Sequence, residues 1–154
     1  MRSFRVASAV VLAVASCAAP RSDEAAPVRA TVDRLIAADN LLDLERAMDC
    51  YTPDAVLLPP EGGPVRGEET IRARYATQFE AWRPELRVVH EETIVGAGEA
   101  VDRGRTLGKL HSTSGAPNKT IDDRYEARLR MENGAWRISE LKWQPRNSPA
   151  RADR

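Results

Sequence analysis

Residues Tyr51 to Arg72 read Y-T-P-D-A-V-L-L-P-P-E-G-G-P-V-R-G-E-E-T-I-R, and the order of chain breakers and apolar runs in them decides the architecture. Thr52-Pro53-Asp54 predicts the stop of a preceding helix, because a residue before proline is pushed out of the α region. Ala55 to Leu58 is a short apolar strand. Pro59-Pro60-Glu61-Gly62-Gly63-Pro64 ends it in a turn. Gly67-Glu68-Glu69 then opens a helix, with two carboxylates where the N-terminal dipole favours them.

Upstream, Val28, Val32, Leu35 and Ile36 recur at helical spacing and predict a first helix from about Ala26 to Asp39. Leu41 to Cys50 reads as a second, with Leu44, Ala47, Met48 and Tyr51 on one face. Downstream, Gly67 to about Trp82 gives a third, striped by Ile71, Tyr75, Phe79 and Trp82 and closed by Pro84. Past Pro84 the period becomes two. Leu86, Val88, His90, Glu92 and Ile94 share one strand face, Gly96-Ala97-Gly98 turns, and Ala100 to Leu110 returns. His111 to Lys119 reads as a loop. In the strand from Thr120 to Met131, Ile121, Asp123, Tyr125, Ala127, Leu129 and Met131 face one way and mostly charged residues the other. Asn133-Gly134 is a hairpin turn, and Ala135 to Trp143 completes the meander. Three helices, one early strand and a long antiparallel meander make an α+β fold.

Three segments stand in a telling order: Tyr51-x-x-Asp54-Ala55-Val56, Pro64-Val65-x-Gly67-x-Glu69-x-Ile71-Arg72 and Asn133-Gly134-x-Trp136-x-Ile138. Together they resemble the SnoaL-like group, nearest its DUF4440 branch, within the NTF2-like superfamily, over about Val28 to Gln144. The resemblance implies an NTF2-like cone, with three N-terminal helices packed on a strongly bent, mainly antiparallel sheet. It also implies a homodimer paired through the outer sheet surface. The charged face of Asp122, Arg124, Glu126, Arg128 and Arg130 requires such a contact to be charge-complementary or to lie elsewhere. The superfamily holds isomerases, cyclases and binding modules, so the fold alone chooses no chemistry. Its steroid isomerases place a base at the end of the first strand, a tyrosine on the first helix and a protonated acid on the sheet. Alignment puts Pro59, Leu35 and Ala127 at those positions, which disfavours that reaction here.

The ends point to the cell envelope. Met1-Arg2-Ser3-Phe4-Arg5 is a basic start and Val6 to Ala15 an uncharged apolar run, too short for a stable membrane span. Val14-Ala15-Ser16-Cys17 resembles a bacterial lipobox, in which cleavage leaves Cys17 as an acylated first residue. An ordinary signal peptide cut near Ala18 or Ala19 is the other reading. The expected division is a signal peptide over 1–16, a lipid-anchored tether over 17–26, a domain over 27–145 and a disordered tail over 146–154. The expected address is the periplasmic side of the envelope; in a two-membrane bacterium the outer membrane is favoured, because Ala18 stands where an aspartate would resemble an inner-membrane retention signal. Lys+Arg and Asp+Glu balance at 23 each, so no global field favours nucleic acid. After processing only Cys50 remains, a buried small hydrophobe on this reading.

Polar residues on apolar strand faces are the candidates for chemistry. His90 and Glu92 lie on one such face, Asp123 and Tyr125 on another. If both line the cone they form a polar cluster at its mouth, where a histidine beside a carboxylate serves as a general base or holds a polar ligand. The plainer reading makes them solvated strand ends paired with Arg103 or Arg105. Asp102 and Thr106 are weaker candidates of the same kind. Tyr75, Trp82, His90, Glu92, Asp123 and Tyr125 are the expected ligand contacts, although the Tyr75–Trp82 stripe also reads as plain core. No HxH, HExxH or CxxC spacing occurs, and no metal or cofactor is expected. The leading expectation is a membrane-anchored module binding a small apolar ligand in its cone. A small isomerase, hydratase or cyclase using His90 with Asp123 or Tyr125 is the second, and a protein-interaction module the third.

Overall fold

In the computed structural model, which describes residues 22–146, the stretch Tyr51–Leu58 is a single strand, β1. Pro53 pushes its predecessor into extended backbone as expected, but that backbone belongs to β1 and not to a helix end. The strand tolerates it because its pairing breaks between Tyr51 and Val56, where no ladder N–H is needed. Helix α1 (Ser22–Leu41) begins earlier than its apolar spacing predicts. Leu42 adopts positive φ (55°) and ends it. The second helix shrinks to α2 (Leu44–Met48), because Asp43 caps it by accepting from the Arg46 N–H at 3.1 Å.

Between the turn and the third helix, Val65–Arg66 forms a two-residue strand, β2, antiparallel to β1. Gly67, at φ 81°, turns the chain into α3 (Glu68–Ala81). Ile71, Tyr75 and Phe79 face inward as the stripe requires. Trp82 does not belong to that stripe: it starts β3 (Trp82–Val95), and Pro84 lies inside that strand. Next come β4 (Glu99–Ser112), which absorbs His111, then β5 (Lys119–Glu132) and β6 (Ala135–Pro145). The six strands form one sheet in the order β2-β1-β6-β5-β4-β3. All neighbours are antiparallel except β1 and β6, which run parallel. The result is a curled, unclosed mixed sheet around few helices, an α+β NTF2-like fold.

Its concave side holds the core. Val28, Val32, Leu35 and Ala38 of α1 meet Ile71 and Tyr75 of α3 and Leu129, Ile138 and Leu141 of the sheet. Helix α1 runs along the edge strand β3. There Asn40 donates to the Leu86 carbonyl and accepts from its N–H, both at 2.8 Å. No helix among the described residues is long and apolar enough to cross a membrane. The signal segment, Cys17 and the tail from 147 lie outside the described residues.

Candidate functional site

Period two fails once along β3, and the failure builds the site. The β3–β4 register shifts between His90 and Glu92, leaving Glu91 as an inserted residue. His90 keeps the concave face. Glu92 is thereby turned to the outer face, where it binds Arg103 at 2.7 Å, and Thr93 takes the inward place expected of it. The shared face for His90 and Glu92 is therefore corrected.

Three donors converge on one carboxylate. Asp102 is fully buried; its Oδ2 accepts from the Tyr125 hydroxyl at 2.6 Å and faces His90 Nδ1 at 2.7 Å. Its Oδ1 accepts from Thr93 at 2.7 Å. The Tyr125 oxygen lies 3.0 Å from Nδ1, so that ring N–H is shared between the two oxygens. Burial, and then the Asp102 carboxylate, push the Tyr125 hydroxyl far above its usual range, so it stays a donor. The other ring nitrogen, Nε2, faces Asp33 Oδ1 of α1 at 3.1 Å. Arg29 of α1 donates to Thr93 at 2.7 Å. Each ring nitrogen of His90 therefore faces a carboxylate, one from the sheet and one from α1.

Gly104 makes this cluster possible. It stands between His90 and Tyr125 in the strand register. A Cβ there would come within 2.1 Å of the Val89 carbonyl and 3.0 Å of the Tyr125 ring. Its bareness lets the two rings meet edge to face at 6.4 Å.

Asp123 is not the partner of His90. It lies further along the sheet, in the row of Val88 and Thr106, half-buried, its carboxyl pushed up by desolvation and by Asp122. Of the expected ligand contacts, the structure brings together only His90 and Tyr125. Tyr75 faces the core on α3, Glu92 faces outward, and Trp82 is half-buried under the Lys119 ammonium at 4.7 Å. Among the described residues no three His, Cys, Asp or Glu side chains gather as a metal-ligand set.

A second polar centre joins Tyr75, one of the expected ligand contacts, and Tyr51 to Asp39, a residue the sequence reading did not single out. Asp39 falls one turn after Leu35, at the C-terminal end of the inward stripe of α1. The residue keeps some exposure, but its Oδ1 is sealed from solvent and has no hydrogen-bond partner. Desolvation pushes its carboxyl up to about 8. Beside it the hydroxyls of Tyr51 and Tyr75 pair at 2.8 Å. Burial raises both, and the Asp39 charge adds to the rise. The signal was present in the sequence as a carboxylate four residues after Leu35 on an apolar face.

The model of the SnoaL-like domain family matches residues 28–140. The chain belongs to the SnoaL-like domain family. Solved structures agree on the fold. A ketosteroid isomerase-like protein from Erwinia carotovora atroseptica superposes with a TM-score of 0.75 at 22% identity, covering 83% of this chain and 99% of that one. A conserved protein from Planctomyces limnophilus gives 0.74 at 20%, covering 81% and 99%. An NTF-2 like protein of unknown function from Shewanella oneidensis gives 0.62 at 18%, covering 77% and 96%. No curated protein matches this chain. In this SnoaL-like domain, the positions that the sequence reading set against the isomerase groups are apolar. Leu35 and Ala127 are buried in the core, and Pro59 follows the end of β1.

Proposed function

We propose that this SnoaL-like domain binds a small, largely apolar ligand on the concave side of its sheet, held to the cell envelope through Cys17. One observation carries the binding reading: the sealed, unpartnered Oδ1 of Asp39 lies within electrostatic reach of the buried hydroxyl pair of Tyr51 and Tyr75. A buried polar group without a partner costs stability, and a ligand oxygen that accepts a hydrogen bond from the carboxyl offsets that cost. The probe is a matched pair, 1-indanone and indane. The ketone is expected to raise the melting temperature more than the hydrocarbon, and Asp39→Leu to erase the difference. Equal response of the wild type to both compounds overturns the reading.

A second reading, catalysis through His90, is favoured by one feature, the buried Asp102 that orients the ring at Nδ1. That carboxylate stands where Asp123 was expected. Against it stands Asp33, which occupies the nitrogen a base would use. Exchange of the α-protons of 2-indanone in D2O, followed by NMR, decides: catalysis requires acceleration by the wild type and its loss in His90→Gln.

A further inference from the structure

The outer face of the sheet, opposite the helices, carries a cup of about 240 Å³ at the Glu91 bulge, lined among others by Glu91, Arg103, Arg124, Glu126, Lys142 and Gln144. Three arginines of this face are ion-paired. Arg103 binds Glu92 and Glu126, both at 2.7 Å. Arg105 binds Asp122 at 2.6 Å, and Arg128 reaches Glu126 and Glu140. Arg124 and Lys142 are different: neither has a carboxylate within ion-pair distance among the described residues. Arg124 is flanked in register by Arg105 on one side and by Gln144 on the other. Like charges directly opposite one another weaken a strand pair. Here the repulsion is kept on the wall of a cavity.

We propose that this cup is a binding site for a small oxyanion, a phosphate or a carboxylate, gripped by the Arg124 fork and the Lys142 ammonium. A guanidinium matches two oxygens of such a group, and an ammonium adds a point charge. Gln144 supplies a neutral donor beside them. Glu91, on the rim, is the carboxylate that opposes entry. Its charged side chains lie on the face opposite the cone interior, although Gly104 and Tyr125 also line the cup.

Inorganic phosphate is the probe, compared with chloride at equal ionic strength and neutral pH. The wild type is expected to melt higher in phosphate than in chloride. Arg124→Thr, which puts a strand-forming neutral residue opposite Arg105, is expected to lose that difference and, in dilute buffer without phosphate, to melt no lower than the wild type. Glu91→Gln is expected to bind phosphate more tightly. The proposal falls if phosphate and chloride act alike on the wild type, or if Arg124→Thr keeps the full phosphate response. It falls too if light scattering shows a phosphate-independent dimer whose contact buries Arg124.

Discussion

Asp39 makes the stability of the domain depend on pH in an unusual direction for a carboxyl. Its folded value, about 8, lies above the ordinary 3.8, so the folded chain holds this proton more tightly than the unfolded chain does. Its stabilising share is complete below the ordinary value and is lost as pH rises through the folded one. Asp39→Asn removes the titration. The melting-temperature gap between variant and wild type should widen from pH 4 to 8 and then level off, and a constant gap would refute the assignment. Asp102 acts oppositely, through partners. Asp102→Ala strands two donors and the imidazole, and should cost about 3–5 kcal/mol. Tyr125→Phe should cost about 1.5–3 kcal/mol, both read from urea unfolding. How much of this was legible differs by residue. His90 and Tyr125 stand out in the sequence as polar residues on apolar faces, and Asp39 breaks an apolar stripe in the same way. Thr93 replacing Glu92 was not legible, because one inserted residue reverses the parity of everything after it and leaves no mark in composition.

At the scale of elements, one side chain does the work of backbone. Asn40 offers β3 a donor and an acceptor, so the edge strand meets a helix side chain where it would otherwise offer free pairing groups. Asn40→Ala should speed amide exchange at Leu86 while leaving β5 protected. Gly104→Ala should be far worse than a glycine replacement in an open strand, since its Cβ meets a carbonyl oxygen. Its melting temperature is expected to fall and the His90 ring signals to shift; an unchanged melting temperature would refute the packing argument. The long meander was read well from the sequence because alternation and Asn133-Gly134 are strong local signals. The helix stop at Pro53 was misread, since the same restriction on the preceding residue also suits a strand. The length of α2 was equally hidden, because Leu42 gives no sign of the left-handed turn that ends α1.

At the scale of the molecule, the envelope anchor has a direct test. Cys17→Ser should move the protein from the membrane to the soluble fraction, and unchanged retention would dismiss the anchor. The parallel pairing of β1 with β6 has a consequence in time. Tyr51 finds its neighbour at Ile138, nearly the whole domain later, while β3 to β6 can zip as successive neighbours. During synthesis, therefore, β1 waits for the last strand with only the two residues of β2 beside it, too little to stand alone. Closing so long a loop is slow. A chain ending at Glu132 should show no cooperative unfolding, and the complete chain should refold more slowly than helical domains of its size. Late closure leaves the nascent chain threadable until its final residues emerge.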